Sequence, residues 1–332
     1  MDQLRKDPIV GRWTIVFSDK PFAPSDFKIE HLSHKEATCP FCYGHENLTP
    51  PEIQAHREGA TLPNSPGWST RVVPNKFPAL RIEGELDRRG IGMFDLSGGI
   101  GAHEVIIETP DHSKDLADLL DHEAEKVIWA YRDRSVDLRG DKRFRYIMIF
   151  KNHGFSAGAS LAHSHSQLIA LPMVPKNVHE ELQGAGLYFE YKERCIFCDM
   201  IAQEKADNER LICENSRFLA FAPFASRFPF ETWILPQEHH SDFSFIRSDD
   251  VTELARILKD VLKRMKQVLN DPPYNFIIHT SAIEQRDRED YHWHIEIMPK
   301  LMKIAGFEWG SGFYVNPTPP ELVAKYLREA KI

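Results

Sequence analysis

The sequence predicts an α+β protein made of two tandem, related domains, each a mostly antiparallel sheet with packed helices. The length of 332 residues leaves room for about two domains. The same series of cysteine and histidine signals occurs twice along the chain, and in each series a long helical pattern precedes a short strand that carries two histidines. We therefore place the first domain at 1–180 and the second at 181–332.

The predicted elements follow the same order in both halves. The predicted helices, from apolar residues at helical spacing, are 113–138 and 250–270. The predicted strands are 143–152 and 163–172 in the first half, and 274–281 and 292–299 in the second. The region 172–192 contains proline, glycine and polar residues, and it is the best candidate for a linker.

Composition and charge argue against several classes of partner. Apolar residues make up 42% of the chain, and no apolar run approaches the roughly 18 residues that cross a bilayer, so we expect no membrane partner. The start, MDQLRKDPIV, lacks the apolar core of a secretory signal, so we expect a cytoplasmic protein with reduced cysteines. A formal net charge of -8 with scattered basic residues argues against nucleic acid as a partner.

Four of the five cysteines form two C-x-x-C pairs, a spacing that commonly supplies half of a tetrahedral zinc site. Two histidines follow each pair at matching places. Each half thus offers two thiols and two imidazoles, a closed four-ligand set typical of structural zinc rather than catalytic zinc. The predicted ligands are Cys39, Cys42, His112 and His163 in the first half, and Cys195, Cys198, His239 and His292 in the second.

Other residues compete for these roles. His103 in GAHEV is an alternative to His112, but PDH before a helix matches QEH in the second half and favours His112. Cys213 is predicted to be a core thiol. The alternative to both zinc sites is a pair of buried turns with chance spacing. Most other histidines need no function, and these include His31, His34, His45, His56 and His122.

The stretch HSHSQ places His165 between a zinc ligand and a glutamine. Alternate residues of a strand share a face, so His163, His165 and Gln167 point one way while Ser164 and Ser166 point the other. If zinc binds His163 as predicted, His165 is left free and is held rigidly beside the metal site. A neutral imidazole is a good nucleophile toward phosphorus, and the Gln167 amide can donate to a phosphate oxygen without exchanging a proton. The preceding loop, KNHGFSAGAS, offers backbone N–H groups that suit phosphate.

These residues resemble the galactose-1-phosphate uridylyltransferase family of the histidine-triad superfamily. The resemblance rests on H-x-H-x-Q after a serine–glycine loop, and it extends over nearly the whole chain through DPIVGRWTIV, RVVPNKFPAL, FETWILPQEH and GFEWGSG. It implies two histidine-triad-like domains and a homodimer with the active site at its interface. It also implies ping-pong transfer, in which a UDP-hexose or ADP-hexose gives its nucleoside monophosphate to His165 and a hexose 1-phosphate takes it back.

The resemblance further assigns individual residues. It implies that His165 and Gln167 are catalytic, and that zinc occupies two structural sites per chain, of which the second could hold iron. By matching motif positions, the implied substrate contacts are Asn152 and Ser160 with phosphate, Asn75 and Phe77 with the nucleoside, and Phe307 and Glu308 with the hexose hydroxyls.

The chain departs from the family pattern at three places. FSDKPFAP offers only Lys20 where an arginine-rich segment is usual, and Ser164 stands where proline is common. In the second half, Glu296 replaces the glutamine, and its carboxylate would repel a phosphate. We therefore expect the second half to be a metal-binding copy without catalysis, in which His294 is an extra metal ligand or a packed side chain rather than a nucleophile.

The leading prediction is a UDP-glucose–hexose-1-phosphate uridylyltransferase of galactose metabolism. Because AGASLAHSHSQ and DPPYNFIIHTS are similar to the plant branch, adenylyl transfer by an ADP-glucose phosphorylase is the alternative. A hydrolase of the same superfamily is disfavoured, since Gln167 stands where a third histidine would favour hydrolysis. A non-enzymatic zinc or nucleotide-binding protein is the alternative from a different class.

Overall fold

The computed structural model describes residues 1–29 and 38–332, so His31 and His34 lie outside the described residues. The described chain forms fifteen strands and six α-helices. The strands are β1 Gln3–Lys6, β2 Trp13–Val16, β3 Gln54–Arg57, β4 Trp68–Pro74, β5 Arg89–Ile91, β6 Phe94–Leu96, β7 Ala102–Ile107, β8 Tyr146–His153, β9 His165–Leu171, β10 Leu211–Glu214, β11 Phe218–Phe221, β12 Thr232–Pro236, β13 Tyr274–His279, β14 His294–Pro299 and β15 Tyr314–Asn316. The helices are α1 Asp121–Leu138, α2 Lys176–Lys192, α3 Ile196–Asp207, α4 Ser248–Leu269, α5 Gly306–Ser311 and α6 Pro320–Arg328.

Ten strands form one sheet that runs through both halves, in the order β10-β11-β12-β14-β13-β8-β9-β7-β4-β3. Every pair of adjacent strands in this sheet is antiparallel. β8 and β13 meet at the centre, where Asn152 lies opposite Asn275. Outward from this centre the halves present matching strands, with β9 corresponding to β14 and β7 to β12. The predicted α+β fold of two tandem related halves is confirmed, and the halves share a continuous sheet.

The two faces of this sheet carry different layers. In β7, Ile106 packs into the core formed with α1 and α4, while its neighbours Val105 and Ile107 pack with Cys39 and Phe41 on the other face. This alternation is the period of two that a strand imposes. Helices α2 and α3 cover the second half on the same face as the cysteine groups. None of the helices within 1–29 and 38–332 is long and apolar enough to span a bilayer.

The segment predicted as a linker is mostly helix. α2 buries Val178, Leu182 and Ala185, a helical spacing that packs one face on the core. Gly184 suggested flexibility, but a Cβ there would lie 1.9 Å from the Ile9 carbonyl oxygen, so this glycine permits close packing. The predicted domain boundary after residue 180 therefore falls inside a helix, and the division into 1–180 and 181–332 stays a prediction.

Helix α1 begins eight residues later than predicted. Its first turn is fixed by Glu123, whose carboxylate accepts a hydrogen bond from Leu120 N at 2.8 Å. The residues before it form turns, in which Asp115 and Asp118 pair with Lys266 of α4 at 3.0 and 2.7 Å. The acidic residues before the helix thus join this segment to α4, a contact that the helical spacing of the sequence did not indicate.

Candidate active site and metal-binding groups

The four predicted ligands of the first half meet beside the start of β9. Their ligand atoms all lie within 4.8 Å of one another. Cys42 Sγ lies 3.4 Å from His112 Nδ1 and 3.6 Å from His163 Nδ1, and Cys39 Sγ lies 3.6 Å from His163 Nδ1. A tetrahedral zinc ion with ordinary Zn–S and Zn–N bonds would separate sulfur from nitrogen by about 3.6 Å. The group therefore fits zinc in both chemistry and size.

The second group has the same composition and the same dimensions. The ligand atoms of Cys195, Cys198, His239 and His292 also lie within 4.8 Å of one another. Cys198 Sγ lies 3.4 Å from His239 Nδ1 and 3.7 Å from His292 Nδ1. Two thiolates with two imidazoles suit zinc in a closed structural site.

Backbone carbonyl groups determine which nitrogen of each histidine faces the thiols. The Thr109 carbonyl oxygen can only accept, and it lies 2.7 Å from His163 Nε2, so the proton resides on that nitrogen. The lone pair of Nδ1 is thereby directed at the cysteines. His292 Nε2 makes the equivalent bond to the Pro236 carbonyl at 2.9 Å. Such outer hydrogen bonds are usual for metal-binding histidines.

His165 lies outside the first four-ligand group. Its Nδ1 donates to the His163 carbonyl oxygen at 2.8 Å, so the lone pair lies on Nε2. In the described part of the chain Nε2 makes no hydrogen bond, and unlike Nε2 of His294 it is not sealed from solvent. The Phe41 ring packs edge-on against the imidazole at 5.4 Å. Burial lowers the pKa of His165 to about 4, which keeps the ring neutral near pH 7.

Gln167 is oriented by His103, which the sequence indicated only as a weaker zinc-ligand candidate. Ala79 N–H donates to His103 Nδ1 at 3.1 Å, so His103 Nε2 carries the proton and donates to Gln167 Oε1 at 2.8 Å. The NH2 group of Gln167 is thus left for another acceptor. The alternation of β7 could have indicated this contact, because His103 shares a face with Val105, which lies opposite Gln167.

The loop before β9 is shaped by glycines. Gly154 and Gly158 have φ of 78° and 88°, which a residue with a Cβ rarely adopts. Asn152 Oδ1 accepts from Asn275 Nδ2 of the second half at 2.7 Å, which turns the Asn152 amide N–H2 away from Asn275. Ser160 is exposed at the end of this loop.

The other residues assigned by resemblance are less closely gathered. Asn75 Nδ2 lies 3.1 Å from His103 Nε2, so Asn75 adjoins the Gln167 group. Phe77 extends from the same turn with 82% of its surface exposed. Phe307 and Glu308 lie on α5, where Glu308 caps its own helix through Ala305 N at 2.9 Å. No hydrogen bond joins these two residues to the first group among the residues described.

The counterpart of His165 in the second half is enclosed. His294 also begins its strand, and its Nδ1 lies 3.1 Å from the His292 carbonyl oxygen. Trp233 and His279 stack on the ring at 4.9 and 4.8 Å, and Nε2 lies 3.5 Å from Glu181 of α2. The linking helix thus covers the site that would face a substrate.

Glu181, His279 and His294 form a third group that could hold a metal. It is fully buried, and Nε2 of both histidines lacks a hydrogen-bond partner. Glu296, which stands where Gln167 stands in the first half, forms an ion pair with Arg227 here. The Glu296 carboxylate is therefore paired inside the protein and cannot contact a phosphate.

Two tandem halves that share one antiparallel sheet, each with a cysteine–histidine group, can be compared as a whole with known families. A family model described as galactose-1-phosphate uridyl transferase, N-terminal domain, matches residues 1–175, and the corresponding C-terminal domain matches 181–309. The chain belongs to the galactose-1-phosphate uridylyltransferase family. Membership of an enzyme family sets aside the alternative of a non-enzymatic zinc protein.

Individual relatives carry two different names. An ADP-glucose phosphorylase of Arabidopsis thaliana is 38% identical, covering 99% of this chain and 93% of the relative. A galactose-1-phosphate uridylyltransferase of Thermotoga maritima is 28% identical, covering 100% and 99%. A crystal structure of an Arabidopsis thaliana ADP-glucose phosphorylase with bound ADP-glucose superposes with a TM-score of 0.84 at 37% identity, covering 100% of this chain and 99% of that one.

Proposed function

We propose that this chain transfers a nucleoside monophosphate through a covalent adduct on His165, and that ADP-glucose is its best donor. The observation that carries the proposal is the position of His165 beside a complete four-ligand group, with Nδ1 bonded to the His163 carbonyl and Nε2 unpartnered. A ring held in this way presents one defined nitrogen to a phosphorus atom.

In the first step Nε2 of His165 attacks the α-phosphorus of the donor. The N–P bond forms, the bond from phosphorus to the bridging oxygen breaks, and glucose 1-phosphate leaves. The ring then carries a positive charge, which the Nδ1–H bond to the His163 carbonyl stabilises. Gln167, oriented by His103, donates its N–H2 to a non-bridging oxygen as charge accumulates there.

In the second step an acceptor oxygen attacks the same phosphorus and Nε2 leaves. With inorganic phosphate as acceptor the product is ADP, and with a hexose 1-phosphate it is a new nucleotide sugar. We favour ADP-glucose and phosphate because the relative at 38% identity is named ADP-glucose phosphorylase. UDP-glucose with galactose 1-phosphate is the second candidate, favoured by the relative at 28% identity that is named uridylyltransferase.

We also propose that zinc fills both cysteine–histidine groups as a structural ion, because four donors at these separations leave no open position. Zinc would stabilise the turn that contains Cys39 and fix His163, whose carbonyl holds the His165 ring. We favour zinc over iron in the second group, since two thiolates and two imidazoles are a common structural zinc set. The third group, around Glu181, offers nitrogen and oxygen ligands instead.

We propose a homodimer, as the family resemblance implies. Phe77, Phe307 and Trp309 are 82%, 51% and 77% exposed, so their aromatic side chains are free to contact a second subunit. Phe307 and Glu308 would then reach a hexose bound in a partner subunit. Light scattering should give twice the chain mass, and a monomer would contradict the proposal.

The donor is tested with nucleotide sugars labelled in the α-phosphate. The protein is mixed with ADP-glucose or UDP-glucose, denatured, and analysed for acid-labile label on protein. We expect label from ADP-glucose, faster than from UDP-glucose, and none in His165→Ala. Absence of label from both donors would refute the covalent mechanism. Faster labelling from UDP-glucose would instead assign the chain to uridylyl transfer.

A further inference from the structure

A buried polar layer lies directly behind the strand that carries His165. Ser164 and Ser166 flank this residue and point to the opposite face of the sheet, toward α1. There Glu108 and Lys151 form an ion pair at 2.6 Å, and their side chains are 0% and 1% exposed. The two serines of the HSHSQ stretch thus face a charged pair in the interior, which the sequence did not indicate.

The layer contacts three consecutive residues, 164–166, where the strand β9 begins. Lys151 Nζ donates to the carbonyl oxygen of His165 at 3.1 Å and to Ser164 Oγ at 3.0 Å. The carboxylate of Glu108 accepts from four donors, which uses its capacity fully. These donors are Lys151, Ser164 and Ser166, together with Tyr131 of α1. Burial alone would raise the pKa of Glu108, but Lys151 and the hydroxyl groups outweigh it and lower the pKa.

The second half supplies an internal comparison, because it has the same strands without this layer. In the ladders Gln167 lies opposite Phe150, and Glu296 lies opposite Ile277. On these partner strands, β8 and β13, the following residue lies closer to the histidine. It is Lys151 in the first half and Ile278 in the second. The two serines correspond to Trp293 and Ile295. All three replacements are apolar and at most 2% exposed.

The fold therefore does not require a charged layer at these positions. A buried ion pair contributes little stability compared with apolar residues of similar volume, and it is often less favourable. Both histidines are buried, but Nε2 of His165 still reaches solvent and Nε2 of His294 does not. The ion pair lies behind His165, and an apolar core lies behind His294. The charged layer is thus present where the strand carries the proposed nucleophile and absent where it does not. Packing alone does not explain this difference, since the same strands pack with an apolar layer in the second half.

We propose that Lys151 and Glu108 are positioning residues, which fix the main chain of His165 so that Nε2 meets the α-phosphorus at the correct distance and angle. The inference rests on the proposed role of His165. Hydrogen bonds to the His165 carbonyl and to both neighbouring serines restrain the strand from behind, while His163 restrains the imidazole from the front. A displacement of about 1 Å at a reacting atom can cost roughly a hundredfold in rate.

The test is the double variant Lys151→Met with Glu108→Leu, which replaces the pair by apolar side chains as in the second half. We expect the single-turnover rate of adduct formation at saturating ADP-glucose to fall at least tenfold. The donor KM should stay within about twofold, and zinc content should be unchanged. A rate within twofold of wild type in a folded double variant would overturn the inference. A KM that rises by the same factor as the rate falls would also overturn the inference, because it would indicate a general disturbance of the site.

A milder variant keeps the inference testable if the double variant does not fold. Ser164→Ala removes one contact from Lys151 and one from Glu108, and we expect a loss of threefold or more in the same rate. An unchanged rate in this variant would count against the layer as a positioning device.

The matched control replaces another buried ion pair, Arg210 with Glu204, which join at 3.0 Å beside the sheet edge at β10. The variant Arg210→Met with Glu204→Leu should leave the single-turnover rate unchanged. Wild-type protein that forms no adduct would refute the proposed function itself. Wild-type protein that forms an adduct at the same rate as the double variant would refute only the positioning role.

Discussion

Replacing His103 by alanine tests whether it orients the Gln167 amide. The bond from His103 Nε2 to Gln167 Oε1 is 2.8 Å long, and a neutral hydrogen bond contributes about 1 kcal/mol. Losing it lets the amide rotate, which corresponds to about a fivefold lower rate of adduct formation. The fall in rate should not exceed that caused by removing the Gln167 amide itself. Removal of a donor of this kind typically lowers a rate roughly a hundredfold or more.

The assay is the single-turnover rate of labelling by ADP-glucose, measured for His103→Ala, Gln167→Ala and the double variant. If His103 acts only through Gln167, the double variant should be no slower than Gln167→Ala alone. His122→Ala, an exposed position on α1, is the control and should match wild type. Multiplicative losses in the double variant, or no loss in His103→Ala, would refute the reasoning. Zinc content should not change, because the first ligand group is complete without His103.

Further predictions concern the metals, the second half and acid stability. Cys198→Ser should reduce zinc from two ions to about one per chain by elemental analysis and should lower the melting temperature, and two retained ions would contradict the second zinc site. His294→Asn should still give label on His165, and its loss in a folded variant would contradict the enclosed, non-catalytic role. The lowered pKa of Glu108 means that its ionisation stabilises the fold above the unfolded value of about 4.3, and this stabilisation is lost as the pH falls through the folded value. Denaturant titrations between pH 6 and pH 3 should therefore show a larger loss for wild type than for Lys151→Met with Glu108→Leu, and equal losses would contradict the prediction.

The repeated cysteine and histidine spacings could be interpreted from the sequence because metal ligands are limited to a few residue types. Cys39 and His163 are 124 positions apart, yet the residue types and their repetition were enough to predict that they meet. The two-residue period of a strand likewise predicted that Ser164 and Gln167 face opposite sides of the sheet. These features depend on local geometry and ligand chemistry, which the sequence expresses directly.

The partners of those side chains could not be predicted in the same way. His103 matched a zinc ligand in type, and only the pairing of β7 with β9 showed that it contacts Gln167. The segment at α2 contains proline and two glycines, which indicate a linker in isolation. Its helix is stabilised by packing against the second half, where Glu181 encloses His294, and packing of this kind depends on surfaces formed elsewhere in the chain.

The sequence by itself determined the repeated architecture, the members of the two cysteine–histidine groups and the histidine that lies outside the first group. Only the tertiary structure decided that Nε2 of His165 stays open to solvent with a charged layer behind its strand, while His294 is covered by α2 and has an apolar layer behind its strand. The physical reason is that the residue type fixes which chemistry a side chain can carry out, and the two-residue period of a strand fixes which face of the sheet it occupies. The burial and hydrogen-bond partners that select one use are set by distant residues meeting across the sheet.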